Sequence, residues 1–477
     1  MSLKQQAVSG LVWTFAEQFG SQIISFTISI VLARLLLPSD FGTIALFGVF
    51  IAVASTIMDG GLGSSLIRTK DTDEADMSTV FWFNVVLAVI LYVIIYITAP
   101  FIANFYNTPI LKPVVRIYCL SLIINSMVIV HRTRFIKELK FATAFKIQLP
   151  SLIIGGISGI AFAYLGLGIW SLVYSSLIQS VVITIQHWFY SEWKPKFIFD
   201  KKKFRYHFNY GYKMTLSGLL NVVFINIYTV VIGKVFSVQQ LGYYNRADSL
   251  KQLPVSNVSN ALNKVTFPIF AKISDNNVKL KEVYQKLMTV VIFIIAPLLT
   301  VMVVSAEPLV RFLLTDKWLP AVPYFRILSL AGLLYPIHAY NLNILQVKGK
   351  SNLFLKLEII KKAIIVIVIV VSIKFGIYGL LWGQCITSAL AFFVNTHYTG
   401  KILSYNSWQQ LSDLLPTIFL AAIVGLGVYL IDAYFFIHLQ DLIRVLLIIL
   451  VYSLGYLVIT LALQFKQIKY IKELLKK

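Results

Sequence analysis

The stretch WFNVVLAVILYVIIYITAPFIA, residues 82–103, carries no formal charge. As a helix it spans about 33 Å, which matches a bilayer hydrocarbon core of about 30 Å. Comparable runs recur at AIIVIVIVVSI (363–373) and VLLIILVYSLGYLVITLALQF (445–465). Charged residues make up only 13% of the chain and apolar ones 58%, against about 25% charged in soluble domains. The chain is therefore read as an integral membrane protein. Its net charge of +22 is scattered in short blocks between apolar spans, which marks membrane-surface segments and implies no nucleic-acid partner.

Fourteen apolar stretches of helix length follow one another. The first lies near 9–33, the seventh near 208–233, the eighth near 243–270 and the last two near 412–433 and 442–464. Glu17 and Gln18 interrupt the first, and no small-residue cleavage site follows it, so it reads as a retained span and not a signal peptide. Lys and Arg set orientation, because short loops rich in them stay in the cytoplasm. The tails and even-numbered connections hold 29 of these residues and the odd-numbered connections hold 7. Both termini are thus expected in the cytoplasm.

A duplication runs through the sequence. VLARLLLPSDFG (31–42) aligns at an offset of 200 with VIGKVFSVQQLG (231–242), and RIYCLSL (116–122) at an offset of 210 with RILSLAG (326–332). The expected fold is an all-α membrane protein of about 14 transmembrane helices. Two six-helix repeats form N- and C-lobes and two helices are added at the C-terminus. The expected divisions are an N-terminal bundle over 1–193, a basic cytoplasmic linker over 194–207, a C-terminal bundle over 208–401, and two further helices with a basic tail over 402–477. An even span count per half gives both halves one orientation, with a substrate path expected at the interface between them.

Charge inside a span is costly and by default faces a bundle interior or a wet cavity. On the eighth span Arg246, Leu250, Leu253, Asn257, Asn260 and Lys264 share one helical stripe, about 27 Å long at 1.5 Å per residue. Asp248 and Lys251 lie off that stripe, one turn apart, at a spacing that lets them pair. Polar stripes recur on the first span (Thr14, Glu17, Gln18, Ser21, Ser25, Ser29) and the seventh (Lys213, Ser217, Asn221, Tyr228). They suggest a shared hydrophilic cavity; the alternative is interhelical hydrogen bonding by the Ser, Thr, Asn and Gln members. Asp59 is either a counter-ion to a cavity cation or a helix-end cap.

Other signals carry little. GKS at 349–351 lacks the upstream glycine of a phosphate loop, and GGLG at 60–63 does not complete a dinucleotide fingerprint. The six histidines are isolated, so His338 reads as an interior residue and no metal site is expected. Cys119 and Cys385 lie in apolar segments far apart and imply no disulfide. Trp188, Tyr190 and Trp193 read as interfacial anchors. The outside loops are too short to carry the apparatus of a membrane polymerase, so no enzyme is expected.

Several stretches together resemble the polysaccharide and lipopolysaccharide flippases of the multidrug/oligosaccharidyl-lipid/polysaccharide exporter superfamily, in its WzxC-like branch. They are ARLLLPSDFG (33–42), GLGSSLIRTKDTDEADMSTVFWFN (61–84), GYYNRADSLKQLP (242–254), FPIFAKISD (267–275) and WLPAVPYFRILSLAGLL (318–334). The Tyr-Tyr-x-Arg-Ala pattern falls on Tyr243, Tyr244, Arg246 and Ala247, while Asp59-Gly60-Gly61 departs from the Asp-Leu-Gly of related sequences. The resemblance implies two bundles around a cavity lined chiefly by spans 1, 2, 7 and 8, in a bacterial inner (cytoplasmic) membrane. It implies export of an undecaprenyl-pyrophosphate-linked oligosaccharide to the outer leaflet, beside membrane lipids, a polysaccharide polymerase and glycosyltransferases. Arg246, Lys264 and Lys213 are then the expected pyrophosphate ligands, with Asn257, Asn260, Asn221, Glu17 and Gln18 lining the path. Asp59 and Asp248 are the candidate counter-ion or coupling groups. No cofactor is expected; an ion (H+ or Na+) or the membrane potential supplies the drive. The alternatives are a cation-coupled drug or small-molecule antiporter and a lipid II flippase of the same superfamily.

Overall fold

The computed structural model describes residues 3–475, apart from the side chains of 3–12, 15, 261–265, 474 and 475. Every regular element among the described residues is helical. In the first part of the chain these are α1 (Leu3–Leu35), α2 (Pro38–Asp59), α3 (Leu62–Arg68), α4 (Glu74–Phe105), α5 (Leu111–Tyr118), α6 (Leu120–Ser126), α7 (Ile129–Lys137), α8 (Phe141–Tyr164), α9 (Ile169–Tyr190), α10 (Lys201–Ile225) and α11 (Ile227–Val235). There follow α12 (Val238–Lys272), α13 (Asn277–Val304), α14 (Ala306–Leu314), α15 (Ala321–Leu333), α16 (Tyr335–Val347), α17 (Ser351–Ser372), α18 (Gly376–Leu403), α19 (Ser407–Ile431), α20 (Asp441–Ala462) and α21 (Lys466–Leu475).

Nine helical segments among the described residues are long and apolar enough to cross a membrane, or eleven if each of two bent pairs counts as one span. The pairs are Leu111–Ser126 with Ile129–Lys137, bent by 42°, and Lys201–Ile225 with Ile227–Val235, bent by 45°. α12 is not among them, because Arg246, Asp248 and Lys251 dilute its apolar run.

Local sequence explains the boundaries. Pro38 opens α2, where its missing N–H costs nothing. Asp73 caps α4 in a reciprocal box: Asp76 N donates to Asp73 Oδ1 at 2.9 Å and Asp73 N to Asp76 Oδ2 at 3.0 Å. Asp200 caps α10 by accepting from Lys202 N at 2.8 Å and Lys203 N at 3.2 Å. Asn406 and Gln409 form a second box at the start of α19.

The chain forms two compact units, residues 1–242 and 243–477. The expected division at 194–207 does not coincide with this boundary. Trp82 Nε1 donates to Lys196 O at 2.8 Å, Lys196 N to Ser78 Oγ at 3.1 Å and Asp200 N to Thr79 Oγ1 at 3.0 Å. The supposed linker is therefore fastened to the start of α4, and α10 packs on α2, α3 and α4 within the first unit.

Two glycines, paired by the duplication, touch reciprocally inside the first unit. A Cβ on Gly42 would sit 1.9 Å from Val238 O, and one on Gly242 1.9 Å from Pro38 O. Only glycine lets the starts of α2 and α12 approach this closely. The second unit is organised around one large apolar core that includes Phe270, Tyr284, Ile295, Tyr340, Phe392 and Tyr452. In the first unit one cluster forms around Leu62, Phe81 and Trp193 and another around Leu32, Leu36 and Ala163. Trp193 is only 7% exposed and lies 5.1 Å from the His131 ring; it plugs a core and is not the interfacial anchor expected of it.

Candidate functional site

In the first unit, a cavity of about 520 Å³ is lined by Thr14 and Glu17 of α1, Asp59 of α2, Arg132 of α7, Gln148 of α8 and His187 of α9, among others. Glu17 and Asp59, 42 positions apart in sequence, thus meet in one polar chamber. Arg132 is the cation whose field acts on both. Asp59 is the last residue of α2, at the break before α3. Gly60 and Gly61 have φ of 56° and 62°, left-handed values that suit glycine at the break between α2 and α3. α10 crosses this break so tightly that a Cβ on Gly211 would lie 2.2 Å from Gly60 O. The other expected site residues of this unit are elsewhere: Gln18 is half-buried and does not line the cavity, and Lys213 and Asn221 are exposed on α10.

In the second unit Arg246 is 8% exposed, and its guanidinium carbon lies 5.1 Å from the centroid of the Trp318 ring. Trp318 is fully buried and meets Tyr243 edge-on at 6.2 Å. A cation over an aromatic face is held by the ring quadrupole, an attraction that grows as water is excluded. Tyr244 OH accepts from Gln384 Nε2 at 3.2 Å. Asp248 and Lys251 form the expected i, i+3 ion pair. Further along α12, Asn257 is half-buried and Asn260 exposed. Lys264 lies among 261–265, whose side chains are outside the described residues. His338 is an interior residue with Ser388 Oγ 3.3 Å from its Nε2. Among the described residues no three His, Cys, Asp or Glu side chains are grouped to hold a metal.

Residues 31–323 match the family described as polysaccharide biosynthesis protein. The chain belongs to that family. It is 25% identical to the teichuronic acid biosynthesis protein TuaB of Bacillus subtilis (strain 168) over 434 residues, covering 89% of each chain. It is also 25% identical to the lipopolysaccharide biosynthesis protein WzxC of Escherichia coli (strain K12) over 442 residues, again 89% of each. Its fold is that of the lipid II flippase MurJ in an inward closed conformation, with a TM-score of 0.72, 17% identity and coverage of 95% of this chain and 99% of that one.

This polysaccharide biosynthesis protein also contains buried charge that sequence spacing did not reveal. Ser65 Oγ lies 2.8 Å from His207 Nδ1, and His207 Nε2 lies 3.1 Å from Asp76 Oδ1. A carboxylate only accepts, so Nε2 donates to Asp76 and the Ser65 hydroxyl donates to Nδ1. The order is that of a hydrolase triad, but Ser65 and His207 have no exposure and Asp76 has 7%. No substrate reaches the hydroxyl, and the chain instead ties α3, α4 and α10 together. Lys203 extends it, donating to Asp73 at 2.5 Å and Asp76 at 3.0 Å. In the second unit Arg444 forms a fork on Asp432, with Nε donating to Oδ1 at 2.6 Å and NH2 to Oδ2 at 2.7 Å.

Proposed function

We propose that this protein is a flippase that moves an undecaprenyl-pyrophosphate-linked oligosaccharide from the cytoplasmic to the outer leaflet by alternating access. Its membership of a polysaccharide biosynthesis family and its multi-pass fold support this reading. The single observation that carries it is α12, a 35-residue helix that keeps Arg246 buried against Trp318. A lipid pyrophosphate bears about two negative charges, and its hydration must be replaced before it crosses hydrocarbon. Guanidinium and ammonium groups replace it with charge-assisted hydrogen bonds. In this reading Arg246, Lys213 and Lys264 take the pyrophosphate in turn, amides such as Asn257, Asn260 and Asn221 contact sugar, and the polyprenyl tail stays in lipid. Asp248 neutralises Lys251, so that Lys251 does not compete for the phosphate.

Fourteen spans are the proposed count. Taking α17 and α18 separately and adding α12 and the α15–α16 pair to the eleven apolar segments reaches that number. The reciprocal Gly42–Gly242 approach supports the internal repeat, and the Lys and Arg distribution supports cytoplasmic termini. The Glu17–Asp59–Arg132 cavity is the proposed coupling site, where a proton or Na+ would change the balance between two acids and one base. Moving two negative charges outward across about 100 mV gains roughly 4.6 kcal/mol, so the membrane potential is the alternative drive.

Proteoliposomes holding the lipid-linked substrate, with a potassium diffusion potential of either sign, test the function. Flipping that requires the protein supports the proposal, and dependence on the sign identifies the potential as the drive. Transport of small cations with no movement of the lipid-linked sugar would overturn it in favour of the antiporter alternative.

A further inference from the structure

Six of the 42 Lys and Arg residues are outside the 36 assigned above to connections and tails: Arg116, Lys213, Arg246, Lys251, Lys264 and Arg326. Four of these belong to α10 and α12 and are accounted for above. Arg116 and Arg326 are not, and the duplication pairs them at an offset of 210. Arg116 lies in the last turn of α5 and Arg326 in the middle of α15, and each donates from Nε to a backbone carbonyl of the preceding long helix. Arg116 reaches Tyr96 O of α4 at 3.2 Å, and Arg326 reaches Val303 O of α13 at 3.4 Å.

The surroundings of the two arginines then diverge. The Arg116 guanidinium is covered by the Tyr96 ring, with its carbon 4.1 Å from the centroid. Arg326 instead borders an apolar groove of about 420 Å³ formed by α13, α15 and α19. Leu299, Leu330, Leu333, Ile418 and Leu426 are among its walls, and Leu330 and Leu426 are 52% and 61% exposed. Val303, Arg326 and Tyr429 all line it, and the Arg326–Val303 bond fixes the arginine at the end of the groove where α13 terminates. Among the described residues no carboxylate lies in ion-pair range of Arg326 (the ion pairs of this region are those of Arg311 and Arg444). A half-buried guanidinium at the mouth of a membrane-level apolar slot calls for an anion attached to a hydrocarbon chain.

We propose that this groove is a binding site for a glycerophospholipid of the surrounding bilayer, with the lipid phosphate on Arg326 and one acyl chain lying between α15 and α19. Charge complementarity selects this occupant: of the polar residues in the walls, Thr300 and Ser329 donate to carbonyls of their own helices, Ala296 O and Phe325 O. In the proposed orientation the arginine end faces the outer leaflet. α19 is one of the two helices added beyond the repeat, so the site is a feature of the second unit. The lipid would brace the added helices against α13 and α15, independently of whether the transported substrate is a lipid-linked sugar.

The test uses the full chain, delipidated in detergent, titrated with dioleoyl-phosphatidylglycerol and with dioleoylglycerol, and read by native mass spectrometry and thermal shift. Phosphatidylglycerol should bind and raise the melting temperature, and dioleoylglycerol should do neither. Arg326→Gln should weaken phosphatidylglycerol binding roughly tenfold or more, as expected for losing a charged hydrogen bond, while Arg116→Gln should leave it unchanged. Ala422→Phe fills the groove and should abolish the melting shift even where Arg326→Gln folds poorly. Equal affinity in wild type and Arg326→Gln, or equal response to dioleoylglycerol, would overturn the proposal. Binding of undecaprenyl phosphate with none of phosphatidylglycerol would also overturn it, assigning the groove to an isoprenoid lipid.

Discussion

The chamber of the first compact unit and the ion pairs of the second treat charge in opposite ways. The first gathers Glu17, Asp59, Arg132 and His187 around a chamber of about 520 Å³, where water or an ion has room. The second closes charges in ion pairs: Asp248 with Lys251 and Asp432 in the fork of Arg444. Its apolar core includes residues from Val255 to Tyr456. A charged residue inside a membrane protein therefore does not report function by its presence alone. Its partner decides whether it holds structure or remains available to change protonation or to meet a ligand.

The comparison breaks first at Asp432. Asp432→Ala would leave the Arg444 guanidinium buried and unpaired, which typically costs about 3–5 kcal/mol. A large fall in melting temperature in detergent is expected, and Asp432→Leu with Arg444→Leu should recover much of it. A near-neutral single variant would mean that the second unit does not depend on its ion pairs. Next in size is Gly242→Ala, which forces a Cβ toward Pro38 O and should cost about 1–3 kcal/mol, like other overpacked contacts. Gly42→Ala should match it, because the contact is reciprocal; a loss in only one of the two would contradict the shared crossing.

Smaller effects belong to the surface and the chamber. The Lys203 ammonium beside Asp73 holds that carboxyl well below the usual carboxylate range. A carboxylate depressed in the folded state adds stability above its unfolded pKa of about 3.9, and that stability is lost as pH falls through the folded value. The Lys203–Asp73 pair is largely exposed and contributes only about 0.2–1 kcal/mol, to which Lys203→Ala adds the loss of the bond to buried Asp76. The cost should be equal at pH 7 and pH 5 and shrink below about pH 4, followed by melting temperature across that range. Smallest in stability is Asp59→Asn, expected within about 0.5 kcal/mol of wild type yet with substrate flipping lost. An Asp59→Asn protein that unfolds would move the chamber's acids into the structural class.

How much of this was legible in the sequence follows from distance along the chain. The membrane class, the helical fold and the Asp248–Lys251 pair are local: they need only run length or an i, i+3 spacing. The Glu17–Asp59–Arg132 chamber was half legible, because two of its acids stood out in apolar spans while Arg132 looked like one more cytoplasmic cation. Ser65, Asp76 and His207 gave no signal, since the histidine and its carboxylate are 131 positions apart and neither is unusual in its own segment. The boundary between the compact units, after Gly242, has no such local marker. Repeat spacing follows ancestry, whereas compactness follows the packing of α10 and α11 on α2.

The central claim is that α12 keeps Arg246 to hold an anionic lipid head. The most direct measurement is the initial flipping rate of an undecaprenyl-pyrophosphate-linked oligosaccharide in proteoliposomes carrying wild type, Arg246→Lys or Arg246→Ala, each checked for melting temperature. The account predicts that Arg246→Ala abolishes flipping while the protein stays folded, and that Arg246→Lys retains part of it because the charge survives without the planar fork. A folded Arg246→Ala protein that flips at the wild-type rate would contradict it.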